Sequence, residues 1–447
     1  MLPNLRRALL FRHCWLAGAP AARCKGAMSA AVTLDITPSP KCLFDEPVSI
    51  SVRGLSPLQA VTLRASLTDE TGVLFRSSAQ YTAESSGELD LTRSPSLGGS
   101  YTGVEPMGLV WSLLPETPFR RLVKRDVLSP FYLNLEVYEG HGTAGQPLAK
   151  ATNERAFLGE GVQRIPVREG KIRATFFQPV GVGPFPGIID IYGTGGGLPE
   201  YRASLLASRG FATLALAYYG YEDLPKQMKE FHLEYFEDAV NYMLGHPQVR
   251  GPGIGLLGHS KGGDLVVSMA SFLKGITATA TVNGAIVTVG ATLRYKDVIM
   301  PPIGADLKRI KLVKPGLANV VEALNSPLEA ENRKYLIPIE KAEGKFLFIV
   351  GEDDQNWKSE LYANMAADIL LEHGKEKPEI VVYPGAGHYI EPPVFPMCAA
   401  SMHFLVGLPV VWGGEPRAHF LAQEGAWQKI QGFFCKHLAE ESLQSRL

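Results

Sequence analysis

Ile254-Gly255-Leu256-Leu257-Gly258-His259-Ser260-Lys261-Gly262-Gly263-Asp264 decides how the second half of this chain is read. Residues 254–257 form an apolar run without polar alternation, as in a strand covered on both faces. Residues 264–273 then carry the spacing of a helix. Between them lies Gly258-His259-Ser260-Lys261-Gly262, the one G-x-S-x-G in the chain. Small residues at both ends let such a turn close tightly and lift the serine oxygen above the sheet without a clash. The motif alone is short, so its weight comes from the strand before it and the helix after it.

Outward from this turn, the chain beyond residue 162 alternates strands and helices. Apolar runs at 185–192, 210–216, 345–350 and 380–383 read as buried strands, and helices are expected at 201–208, 228–244 and 361–371. Unalternating strands separated by helices predict a mostly parallel sheet covered on both faces. From about 30 to 160 the pattern differs. Alternating runs at 48–52, 61–65 and 133–137, separated by turn clusters such as Ser85-Ser86-Gly87, predict an antiparallel β-sandwich. At 447 residues the chain exceeds the roughly 250–300 at which a single core stops growing. The expected organisation is therefore a β-sandwich at 29–161, a catalytic domain at 162–442, and terminal segments at 1–28 and 443–447.

A serine hydroxyl cannot attack a carbonyl unaided and needs a base to take its proton. In an α/β-hydrolase the acid and then the histidine follow the serine, each on a loop after a later strand. Both appear in that order. The run at 345–350 leads into Gly351-Glu352-Asp353-Asp354, and that at 380–383 leads into Pro384-Gly385-Ala386-Gly387-His388. Of ten histidines, His388 occupies this post-strand loop, whereas the pattern does not choose between Asp353 and Asp354. An oxyanion needs backbone donors, expected from Lys261 after the nucleophile and from Thr194 or Gly195 in Tyr192-Gly193-Thr194-Gly195-Gly196-Gly197. As a nucleotide loop that segment fails, because Leu198 stands where the last glycine of G-x-G-x-x-G belongs and no Walker lysine follows. His259 and Asp264 have the H-x-x-x-x-D spacing of some glycerolipid acyltransferases but overlap the turn. The Lys261 side chain is expected to be solvated at the helix start.

Composition sets outer limits. Apolar residues make up 46% and charged residues 20%, and 44 basic residues balance 45 acidic ones, so no field favours nucleic acid. Cys14, Cys24, Cys42, Cys398 and Cys435 are scattered without C-x-x-C spacing, which implies neither disulfides nor a metal, and no cofactor motif is present. No run approaches the roughly 18 apolar residues of a membrane span. Residues 1–28 carry Arg6, Arg7, Arg12, Arg23 and Lys25 and no acid, as organelle transit peptides do. Ser445-Arg446-Leu447 differs from the peroxisomal Ser-Lys-Leu address only in its cation. The two ends compete as addresses for import receptors: mitochondrial matrix or peroxisome, with the cytosol reached if translation starts at Met28 and the C-terminal signal is weak.

Longer segments carry a resemblance. Asp45-Glu46-Pro47-Val48, Val61 through Leu67, Gly193-Thr194-Gly195-Gly196-Gly197, Ala217-Tyr218-Tyr219, Asn356-Trp357-Lys358-Ser359-Glu360, Gly387-His388-Tyr389-Ile390-Glu391-Pro392-Pro393 and Trp412 through His419 resemble the type I acyl-CoA thioesterases grouped with bile acid-CoA:amino acid N-acyltransferase. The resemblance implies a β-sandwich followed by an α/β-hydrolase domain, an acyl-CoA substrate hydrolysed to free acid and CoA, and a triad of Ser260, Asp354 and His388. The N-acyltransferase branch has cysteine as nucleophile; serine gives an oxyester that water can clear. A serine carboxylesterase and an amino acid N-acyltransferase are the rival readings. His259 departs from the aliphatic residue that many relatives have before the nucleophile.

Overall fold

The computed structural model describes residues 31–438. The basic segment 1–28 and the terminal Ser445-Arg446-Leu447 lie outside the described residues. Of the described residues, those from Val32 to Leu438 form one compact unit.

The apolar runs beyond residue 162 are strands of a single eight-stranded sheet. In chain order they are β1 (Gln163–Val167), β2 (Ala174–Gln178), β3 (Gly187–Ile191), β4 (Ala212–Leu216), β5 (Ile254–His259), β6 (Ile276–Val282), β7 (Lys345–Gly351) and β8 (Glu379–Tyr383). Their order across the sheet is β1-β2-β4-β3-β5-β6-β7-β8. β2 runs antiparallel to both β1 and β4, and every later pair is parallel. Central strands β3 and β4 are buried at every residue, which explains their lack of polar alternation.

Five helices cover this sheet: α1 (Tyr201–Ala207), α2 (Leu233–Gly245), α3 (Lys261–Phe272), α4 (Ser359–Glu372) and α5 (Pro416–His437). Strand side chains alternate between the two faces. Ile188, Leu257, Leu347 and Ile349 pack with α1 and α5, whereas Ile189, Leu256, Phe348 and Val350 pack with α2, α3 and α4. This is the α/β-hydrolase architecture.

One expected helix is corrected. The segment predicted at 228–244 is helical only from Leu233, because Glu230–His232 is instead a strand paired with Thr292–Tyr295. His232 is extended, with φ −109° and ψ 123°, so the helix cannot start earlier. Tertiary pairing overrides the local period here.

The preceding region is a β-sandwich. One sheet joins Thr33–Thr37, Ser49–Arg53 and Leu89–Asp90; the other is built around Ala60–Thr68, Leu74–Thr82, Phe131–Glu139 and Ala149–Ala156. Pairing is antiparallel except where Lys41–Leu43 joins Ala149–Ala156. The sandwich shares its core with the hydrolase region. Phe44 stacks on Phe157 at 4.6 Å and meets Phe395 at 4.6 Å, and Trp111 stacks on Phe420 of α5 at 6.0 Å. Asp45 adds a buried polar tie by accepting from Trp427 Nε1 at 2.7 Å. Among the described residues no helix is long and apolar enough to cross a membrane.

Candidate active site

β5 ends at His259, and Ser260 adopts φ 53° and ψ −120° before α3 begins at Lys261. A non-glycine residue in that region is strained and persists only when its surroundings fix it. The Ser260 N–H donates to Val282 O at 3.0 Å, and its carbonyl accepts from Gly263 N at 2.7 Å. The flanking glycines are required by space. A Cβ on Gly258 would lie 2.2 Å from Gly262 O, and one on Gly262 would lie 2.2 Å from Ile191 O.

Across the carboxyl ends of the strands, His388 Nε2 lies 2.8 Å from Ser260 Oγ. His388 Nδ1 lies 2.8 Å from Asp354 Oδ2 and 2.9 Å from Oδ1. Asp354 also accepts from Asn356 N at 2.9 Å, Trp357 N at 3.0 Å and Ser359 Oγ at 2.6 Å. Asp353 turns elsewhere, accepting from Gln355 Nε2 at 2.6 Å and Gly414 N at 2.7 Å. Ser260, His388 and Asp354 are all buried, and Trp412 stacks on the His388 ring at 5.5 Å. Exclusion of water strengthens each charge-assisted contact of such an arrangement. Chemically it can transfer a proton from a serine hydroxyl and hold the resulting imidazolium.

The glycine loop after β3 lies beside the serine, since a Cβ on Gly193 would sit 3.1 Å from Ser260 Cβ. Thr194 and Gly195 follow directly. Their amide N–H groups and that of Lys261 donate to no backbone or side-chain partner among the described residues. Gly195, Gly196 and Gly197 line a cleft of about 450 Å³ together with Arg121, Lys124 and Arg125.

The remaining expectations fare differently. His259 and Asp264 do not form a dyad. The His259 ring donates through Nε2 to the His388 carbonyl at 3.0 Å, and burial, followed by the nearby His388, holds its pKa well below the usual histidine value. Asp264 instead accepts from Lys261 Nζ at 2.9 Å and Val289 N at 2.8 Å. The expectation of a solvated Lys261 side chain is therefore wrong: it is fully buried and paired. Burial pushes the Asp264 carboxyl up to about 6, against the pull of Lys261. Out of reach of water, that lysine turns to the acid three residues on.

Three residues of the site escape a reading by motif. Asn283, at φ 47° after β6, donates to Gly387 O at 3.1 Å and His388 O at 2.8 Å and accepts from Gly351 N at 2.8 Å. It ties the acid-bearing loop to the histidine-bearing loop, and Asn283-Gly284 at a strand exit was its available signal. Asn356 Nδ2 lies 3.2 Å from His388 Nε2. His419 accepts from Gly387 N through Nδ1 at 3.1 Å and donates from Nε2 to Tyr389 O at 2.8 Å, bracketing His388.

Residues 45–169 match the model of the acyl-CoA thioester hydrolase/BAAT N-terminal region, and residues 231–440 match that of the BAAT/acyl-CoA thioester hydrolase C terminal region. The chain belongs to this family. Curated relatives agree: it is 60% identical to acyl-coenzyme A thioesterase 1 of Homo sapiens over 91% of this chain and 97% of that protein. Acyl-coenzyme A thioesterase 2, mitochondrial, of Homo sapiens is also 60% identical, over 91% of this chain and 85% of its own length. Acyl-coenzyme A thioesterase 1 of Mus musculus is 58% identical over 92% of this chain and 98% of that protein. Both family segments thus fall on the two layered regions, with Ser260, Asp354 and His388 inside the C-terminal match.

Proposed function

We propose that this protein hydrolyses fatty acyl-CoA to the free acid and CoA through an acyl-serine intermediate, with Ser260 as nucleophile, His388 as general base and Asp354 orienting the imidazole. The observation that carries the reading is the 2.8 Å contact between Ser260 Oγ and His388 Nε2 within a chain of the acyl-CoA thioester hydrolase family. His388 takes the hydroxyl proton as Oγ adds to the thioester carbonyl. The oxyanion is met by the Lys261 amide and by Thr194 or Gly195. Collapse breaks the C–S bond, and the CoA sulfur, a good leaving group because a free thiol has a pKa of about 8.5, takes the proton from His388 and departs as the thiol. Water then attacks the acyl-serine, giving its proton to His388, which returns it to Ser260 Oγ. Arg125, exposed on the cleft beside Gly195–Gly197 and without a carboxylate partner among the described residues, puts positive charge where the coenzyme's phosphates would lie.

Release of CoA thiol from an acyl-CoA chain-length series, compared with turnover of matched oxygen esters and with amide formation on added glycine or taurine, tests this reading. A thioesterase shows thiol release and free acid. Exclusive turnover of oxygen esters, or conjugates in place of free acid, overturns it.

For location, the basic segment 1–28 supports the mitochondrial matrix, and the name of one relative contains the word mitochondrial, while Ser445-Arg446-Leu447 supports the peroxisome. Imaging with either end masked separates the two.

A further inference from the structure

We infer that Tyr218 and Tyr219 are positioning residues that aim the oxyanion loop, with Tyr218 turning the Thr194 amide toward Ser260. The two tyrosines follow β4, next to the loop after β3. Tyr218 Oη lies 3.0 Å from Tyr192 O and 2.9 Å from Gly193 O, and Tyr219 Oη donates to Thr194 O. Tyr219 also receives Gly197 N on its own carbonyl at 2.9 Å, closing the loop's far end. Three successive carbonyls are thus drawn to one wall. In a trans peptide the C=O and N–H point in opposite directions, so holding Gly193 O fixes the Thr194 N–H away from the tyrosines, and holding Thr194 O does the same for Gly195 N–H. The nucleophile adjoins the start of this loop, where a Cβ built on Gly193 would lie 3.1 Å from Ser260 Cβ. Loop glycines are otherwise free to rotate: Gly196 and Gly197 have φ of 62° and 77°, and no side chain of their own anchors them. Both tyrosine rings are buried, and burial raises both phenol pKa values, which keeps the hydroxyls as donors throughout the neutral range.

The inference rests on the acyl-serine reading but not on the thioester being the substrate. Tyr218→Phe keeps the ring and removes only the donor, so it should lower kcat about tenfold or more on whichever ester the wild type turns over, with KM little changed. Affinity for an acyl trifluoromethyl ketone, which forms a tetrahedral adduct on the serine, should fall by the same factor, while affinity for a non-hydrolysable acyl-CoA thioether stays constant. Tyr219→Phe should act in the same direction. Tyr235→Phe is the control: its hydroxyl bonds Ala217 O beside the same strand end and does not touch the loop, so kcat should not change. An unchanged kcat in Tyr218→Phe, or a loss shared equally by Tyr235→Phe and by thioether binding, overturns the inference. If the wild type cleaves only oxygen esters, the thioesterase reading fails and the same comparison still judges the tyrosines.

Discussion

Asp354 sits 2.8 Å from His388 Nδ1, while its neighbour Asp353 is spent on Gln355 and on the backbone of Gly414. One carboxylate therefore orients the imidazole and the other pins the loop that carries Trp412. Asp354→Asn should lower kcat by roughly four orders of magnitude by favouring the wrong imidazole tautomer, with the fold retained. Asp353→Asn should cost less than about tenfold. Parallel steady-state kinetics on the two variants check this, and equal losses would sink the assignment.

Ser260→Ala should abolish acyl-CoA hydrolysis in a protein that still melts cooperatively, because among the described residues the hydroxyl's one hydrogen-bond partner is His388. Ser260→Cys should be more informative. Attack and CoA release persist, but the intermediate becomes a thioester, which amines take in preference to water. Steady-state hydrolysis should fall about tenfold or more, and intact-protein mass spectrometry should show an acyl adduct. Unslowed hydrolysis with no adduct would contradict an acyl-enzyme route.

Acid stability should reflect buried histidines, His403 and His419 together with His259. Burial lowers both His403 and His419 from 6.5 to about 4. Between those values the unfolded chain binds protons that the folded one refuses, so stability is lost as pH falls from about 6.5 to about 4, by up to about 3 kcal/mol per site. Protonation of His419 would also set an N–H against Gly387 N, beside His388. Thermal melts from pH 7 to 4.5 should show the decline, and His419→Gln should flatten its slope. An identical slope in the variant would refute the linkage.

Asn283→Ala should destabilise the protein by roughly 2–4 kcal/mol, since it strands the buried Gly351 N–H and two carbonyls of the histidine loop. It should also lower kcat by loosening the distance between Asp354 and His388. Urea denaturation with activity measured on the folded fraction separates the two effects. A stable variant with normal kcat would show that Asn283 does not couple the loops.

How much of this was legible beforehand differs from element to element. The strand-turn-helix around Ser260 could be read because its requirements are local: glycines where a Cβ would clash, and apolar residues where both faces are covered. His388 could be read from its loop after a strand. The side chain of Lys261 departs from its expected solvation because helix-start residues are usually wet, whereas this one is buried and paired with Asp264. The start of α2 was misplaced because Glu230–His232 pairs with a strand some sixty residues away in sequence, a preference no local window contains. By itself the sequence determined five of the eight sheet strands in their order along the chain and the place of the elbow glycines, which depend on neighbours within a few residues. Only the tertiary structure decided that Asp353 turns to Gln355 and Gly414, that Asn283 and His419 brace the histidine loop, and that two tyrosines grip the carbonyls of the glycine loop. Those contacts join chain segments brought together by the sheet, and their energy exists only once the sheet has formed.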